Sequence, residues 1–241
     1  MHTSFEQYSD ILLTAYQTSV RADDFAAKKT EILNEIFYHY NITADDVLFV
    51  GFGPGMLKIT NRNIFVTQVS KEVCDFLSEK NVAYTYVDFD TIKEKSFSTV
   101  IAFDEYFTFA NEDSEQRGMV DRLVAIAQGH VITTLKDYKN QDYREKEFSY
   151  PVMIQNDDEN KIFFEHYLHD QADRNLNQGT IYIVDNEGVT LVGPFNRRAM
   201  FFKQLAKFSL DAGAKNFLVH KNLMYKSTIK KNYEHIITIE I

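Results

Sequence analysis

The sequence predicts an α/β protein built on an open, mostly parallel, doubly wound sheet. Two observations carry this. Short apolar runs bounded by turn residues alternate with helical patterns after residue 45, and the first run, Val47-Leu48-Phe49-Val50, is uninterrupted and ends at Gly51. Such a run reads as a strand buried on both faces, which in globular proteins usually means a parallel sheet. The 241 residues, 44% hydrophobic and 25% charged, are ordinary for a globular chain with a full core and suit one large domain with an appendage.

Elements follow in order. Phe5, Tyr8, Ile11, Leu12, Ala15 and Tyr16, then Ile32, Leu33, Ile36, Phe37 and Tyr40, recur at helical spacing and predict two amphipathic helices, a helical cap over residues 1–44. The α/β core spans 45–140. Its strands are expected at Val47 to Val50, Ile64 to Val69, Val82 to Val87, Thr99 to Phe103 and His130 to Leu135, with helices at Ser70 to Glu79 and Ser114 to Gln128. Lys136 to Gln178 is polar and weakly periodic and reads as an insertion or lid. The insertion, 141–195, ends in a β-hairpin, Thr180 to Val184 and Val189 to Val192 around Asp185-Asn186-Glu187-Gly188. In the closing part, 196–241, Asn196 is a candidate N-cap for a helix to Ala212, and Asn216 to His220 and Tyr233 to Ile241 are strand-like.

The balance of 26 Lys+Arg against 35 Asp+Glu, a formal charge of -9, disfavours duplex nucleic-acid binding except through a locally basic face. The segment with Arg197, Arg198, Lys203, Lys207, Lys215, Lys221, Lys226, Lys230 and Lys231, interleaved with Phe201, Phe202 and Tyr225, is the one candidate for RNA contact. An ordinary amphipathic helix also explains Lys203 and Lys207. The single cysteine, Cys74, reads as a structural thiol in a reducing compartment, and no run approaches the ~18 apolar residues of a membrane span. A cytoplasmic protein without membrane attachment is expected.

The most informative stretch is Gly51-Phe52-Gly53-Pro54-Gly55-Met56-Leu57. Glycines after a first parallel strand let a backbone turn sharply and approach a ligand. The dinucleotide fingerprint needs Gly or Ala where Met56 stands, which disfavours a nicotinamide-dependent oxidoreductase. The phosphate loop of nucleoside triphosphate hydrolases is missing. The chain here resembles the class I S-adenosylmethionine-dependent methyltransferases over roughly residues 45 to 140, and in outline to its end. The resemblance implies a Rossmann-like, mostly parallel seven-stranded sheet with a reversed last strand and helices on both faces. It implies S-adenosylmethionine as cofactor, with Gly51, Phe52, Gly53, Pro54 and Gly55 shaping the methionine pocket. Gln68 or Thr67, followed by Val69, stands where the family commonly places an acidic residue on the ribose, so the charge-assisted part of that contact is given up. Asp88, followed by Phe89, is the better match for the adenine-binding carboxylate than Asp90. Phe103, Asp104, Glu105 and Tyr106 fall where the family places residues facing the methionine portion and the methyl acceptor.

Methyl transfer from a sulfonium is an in-line displacement that needs a positioned nucleophile and, for some acceptors, a base. Candidates are Asp104, Asp137 and Tyr138, though each also suits a helix cap or polar loop. No Pro-Pro pair or Pro-Cys pair follows the fourth strand, which disfavours common DNA-methylating chemistry. Glu165, His166, His169 and Asp170 hold metal-ligand types, but a solvated polar helix face explains them better and no metal is expected. The expected function is methyl transfer to an unidentified small-molecule or macromolecular acceptor; the rival is a catalytically inactive binding or assembly protein of the same fold.

Overall fold

The computed structural model describes residues 4–43, 46–60, 62–136, 148–156, 158–173, 175–226, 229 and 233–241. Its main sheet has seven strands: β1 (Asp46–Val50), β2 (Asn63–Thr67), β3 (Tyr84–Tyr86), β4 (Phe97–Ala102), β5 (Ala127–Leu135), β10 (Asn216–Lys226) and β11 (Tyr233–Glu240), in the order β10-β11-β5-β4-β1-β2-β3. β1 pairs in parallel with β2 and β4, and β11 runs antiparallel to both β5 and β10, so the last strand is reversed as expected. Val47 and Leu48 are fully buried, which is what an apolar run between two layers of helices requires.

Helices α3 (Lys71–Glu79) and α4 (Asp113–Ile126) connect the strands. Ser70 caps α3 by accepting a hydrogen bond from the Val73 N–H at 3.2 Å, and its hydroxyl donates to Asp10. α4 passes into β5 without a loop, at Ile126–Ala127, earlier than the helical pattern to Gln128 suggested. No helix among the described residues is long and apolar enough to cross a membrane.

The crossover from β1 to β2 holds a single 3-10 turn, Pro54–Lys58, where parallel strands are usually joined through an α-helix. An N-terminal helix packs there instead. α1 (Ser4–Thr18) and α2 (Ala22–His39) form at the predicted positions, and α2 lies on the 3-10 turn. The Thr30 hydroxyl donates to the Gly55 carbonyl at 2.7 Å, and a Cβ on Gly55 would meet Leu33 at 3.1 Å and Lys29 at 3.2 Å. Gly55 thus permits a close helix–turn approach.

The stretch after β5 is a second sheet rather than a polar loop. β6 (Val152–Gln155), β7 (Asn160–His169), β8 (Leu176–Val184) and β9 (Val189–Arg198) form an antiparallel meander. The hairpin between β8 and β9 is where its turn residues placed it, with Asp185 accepting from the N–H groups of Glu187 and Gly188. Two expectations are corrected. Glu165, His166 and His169 belong to a strand, not a helix, so Glu165 is buried on one face while His166 points to the other. Asn196 does not cap a helix, because the ladder to β8 continues through Arg198 and α5 begins only at Phe202, ending at Asp211. Neither correction was legible from polarity, since β7 and β8 carry apolar residues on both faces and their alternation is blurred.

A buried ionic cluster joins the sheets. Arg197 of β9 places Nε 3.0 Å from Glu165 of β7 and Nη1 3.1 Å from Glu105, just beyond β4. All three side chains are at most 4% exposed. The guanidinium lies 4.3 Å from the ring centroid of Phe109 and 4.8 Å from that of Tyr8 in α1. A Cβ on Gly179 would fall 2.0 Å from the Glu165 carboxylate, so that glycine makes room for the cluster. Burial alone would push the Arg197 guanidinium down, but Glu165 and Glu105 outweigh it and keep it charged. Arg197→Ala is expected to destabilise the protein by about 3–5 kcal/mol, because it strands two buried carboxylates. Arg197→Met combined with Glu105→Gln and Glu165→Gln should recover most of that loss in denaturant unfolding. A single variant within about 1 kcal/mol of wild type would contradict this account.

Candidate functional site

Because β1, β2 and β4 are parallel, their carboxyl ends lie on one edge of the sheet, where open α/β sheets bind ligands. The chain leaves each of these strands through a left-handed residue: Gly51 at φ +81°, Gln68 at 52°, and Asp104 and Glu105 at 55° and 63°. Non-glycine residues rarely adopt this conformation, and its concentration at one edge marks backbone held against its preference. The surroundings enforce it. The Gly51 N–H donates to the Thr67 carbonyl at 2.8 Å, the Asp104 N–H to the Thr134 hydroxyl at 3.1 Å, and Glu105 is fixed by Arg197.

Beside this edge lies a cavity of about 550 Å³, within the range of small-molecule sites. Its walls include Gln68, Phe89, Asp90, Tyr106, Met119 and Arg122. Arg122 donates to the carbonyls of Phe89 and Ile92 at 2.6 and 2.8 Å and so holds the 89–91 turn in place. Burial pushes the Tyr106 phenol up, leaving it a neutral hydroxyl. The Gln68 side-chain oxygen is buried and has no hydrogen-bond partner among the described residues.

The glycine turn itself faces α1. A Cβ on Gly51 would lie 2.4 Å from the Phe5 ring and 2.9 Å from the Ser9 hydroxyl oxygen, and that oxygen accepts the Phe52 N–H at 3.2 Å. The Phe5 ring packs edge-on against Tyr106 and Phe109, with centroids 4.9 and 5.2 Å apart. Phe52, Gly53, Pro54, Gly55, Val69 and Phe103 are all buried. Gly53, at φ -131°, is extended.

The residues singled out from sequence separate into groups. Gln68 and Phe89 line the cavity, whereas Thr67 is fully buried in the sheet. Asp88 is exposed and caps the 89–91 turn by accepting from the Asp90 N–H, so Asp90 rather than Asp88 reaches the cavity wall. Asp104 is 1% exposed and Glu105 is committed to Arg197. Asp137 and Tyr138 lie outside the described residues. Tyr106, expected from the stretch after the fourth strand, lines the cavity, whereas Phe5, Ser9, Met119 and Arg122 were not foreseen as site residues. For α4 a signal existed: Glu115, Gly118, Met119 and Arg122 follow helical spacing and form the face that borders the cavity.

No group of three or more His, Cys, Asp or Glu among the described residues could hold a metal ion. Cys74 sits half-buried in α3, and burial pushes its thiol up, away from the reactive thiolate. Along the basic C-terminal segment, Arg197 is buried, Arg198 pairs with Asp113 and Asp173, and Lys207 pairs with Asp211.

No family model matches the chain, and no curated protein matches it in sequence. Solved structures do match in three dimensions. An S-adenosylmethionine-dependent methyltransferase from Clostridium acetobutylicum aligns at TM-score 0.62 with 13% identity, covering 89% of this chain and 91% of the other. CalS10, an amino pentose methyltransferase from Micromonospora echinaspora with S-adenosylmethionine bound, gives TM-score 0.60 at 10% identity over 89% and 91%. The sugar N-methyltransferase KedS8 from Streptoalloteichus gives 0.62 at 12% over 91% and 89%. Strand order, the reversed last strand and these likenesses agree: the chain has the fold of the class I S-adenosylmethionine-dependent methyltransferases.

Proposed function

We propose that the chain transfers a methyl group from S-adenosylmethionine to a small-molecule acceptor. The observation that carries this reading is the cavity at the carboxyl edge of the sheet, where the Gln68 oxygen is buried without a partner beside Phe89 and Asp90. Turned toward the cavity, the Gln68 amide would meet a ribose hydroxyl, and an adenine amine would find a carboxylate in Asp90. Phe89 and Met119 supply apolar walls for the base. Gly51, Phe52, Gly53, Pro54 and Gly55 would hold the methionine end, and Val69 and Phe103 would back it. The bound cofactor supplies a methyl group on a sulfonium, whose departure to a nucleophile leaves a neutral thioether.

The chain's own contribution is position and exclusion of water. In this reading Asp104, which follows β4, is the candidate base, and Glu105 stiffens the neighbouring backbone through its ion pair with Arg197. Asp137 and Tyr138 remain candidates for holding the acceptor. That similar folds belong to enzymes named for an amino pentose and a sugar supports a small acceptor. The second sheet, joined to the edge through Arg197 and Glu105, is suited to enclose it.

The methionine end needs room that Phe5 and Ser9 now fill. Phe5 lies in the first turn of α1, while Tyr8, Leu12 and Tyr16 anchor the rest of the helix in the core. Opening that room requires the Phe5 ring to swing away and the Ser9 hydroxyl to release the Phe52 N–H. Titration calorimetry of the full chain should show binding of S-adenosylmethionine and S-adenosylhomocysteine at micromolar concentrations. Gln68→Ala should weaken it about 5- to 10-fold, the worth of one hydrogen bond. Absence of heat at millimolar ligand would sink the reading. Phe5→Ala should tighten binding about tenfold by easing the displacement; unchanged or weaker binding would show that Phe5 does not compete with the ligand.

A further inference from the structure

The second sheet turns one face to the core and one to solvent, and the outer face is apolar. Met153, Leu191 and Val189 are 64%, 59% and 60% exposed. Ile162 pairs across the ladder with Val184, and Phe164 stacks flat on Tyr182 with centroids 4.8 Å apart. Phe148, 51% exposed, stacks on His166 and extends the patch. The polar positions on the same face are uncharged amides and a hydroxyl, such as Gln155, Gln178 and Thr180, together with the His166 imidazole. Within 153–155, 160–168, 178–184 and 189–196, no outward residue carries a carboxylate, ammonium or guanidinium group. Lys161 and Glu165 point inward, and Arg198 at the far end is turned to Asp113 and Asp173. A solvent-facing sheet ordinarily alternates apolar inside with charged or polar outside.

We infer that this face is the interface of a symmetric dimer, its occupant being the same face of a second copy. A two-fold contact must complement itself, and a neutral apolar patch does so without opposing like charges. On a chain with a formal charge of -9, most other surfaces approaching their own copy bring carboxylates together. The lack of cations on the face also argues against an anionic membrane. Four strands about 4.8 Å apart and about 30 Å long present roughly 500 Å² per copy, so a pair buries about 1,000 Å², the lower bound for a specific interface. Two such faces stack about 10 Å apart, as in a β-sandwich.

Sedimentation equilibrium of the full chain at 1–100 µM tests this, with circular dichroism as the fold check. Wild type should sediment at twice the chain mass. Leu191→Asp or Met153→Asp should raise the dimer dissociation constant about 100-fold or more, because each change places two facing charges in the contact. Val189→Asp, at the hairpin end of the sheet, serves as a second variant should either of the others fail to fold. Tyr38→Asp, at a residue 90% exposed on α2, should leave the dimer intact. A monomer at 100 µM, a dimer insensitive to the sheet variants, or a monomer that floats with neutral phospholipid vesicles would each overturn the inference.

Discussion

The left-handed turn at Gly51 is the constraint on which the rest of the structure depends. It ends a buried central strand of the sheet and carries the chain across the edge shared with β2 and β4, with its amide bonded to the Thr67 carbonyl. Everything placed at that edge refers to it. α1 is seated on it through Phe5 and Ser9, and α2 fills the space left by a crossover too short for its own helix. A side chain at position 51 would strain the backbone and collide with α1 at once.

The second sheet is coupled to the same edge. Arg197 reaches from β9 to Glu105, whose backbone is itself left-handed, and stacks against Tyr8 of α1. The Val20 N–H also donates to the Gln155 carbonyl at 2.9 Å, tying the link between α1 and α2 to β6. Three pieces that are distant in sequence therefore meet around one buried guanidinium. A shift of α1 at the glycine turn is felt by the second sheet through packed contacts rather than through a flexible linker.

Much of the main sheet was legible from sequence because its strands are short apolar runs between turn residues, and a doubly buried strand needs no alternation to be recognised. The glycine turn followed from the same reading, and the reversed last strand from the family resemblance that this turn carried. The second sheet was only partly legible. Its hairpin announced itself through Asp185 to Gly188, but β7 is apolar on the outer face as well as the inner, so its period was hidden. Chain order alone brings Gln68, the residue after β2, and Phe89, three residues after β3, to the wall of the cavity. Asp88 is exposed and its carboxylate is held by a local cap, and the sequence is silent at Phe5 and Arg122, because distant helices supply those walls and spacing along the chain does not encode their approach.

The central claim is that the space between Gln68 and the 89–91 turn receives the nucleoside of S-adenosylmethionine. A crystal structure of the full chain with S-adenosylhomocysteine tests it most directly. The account predicts adenine against Phe89 and Met119, a ribose hydroxyl on the Gln68 oxygen, and the Phe5 ring displaced from Gly51. Ligand density elsewhere, or an unchanged Phe5 seated on Gly51 with the cavity holding only solvent, would contradict it.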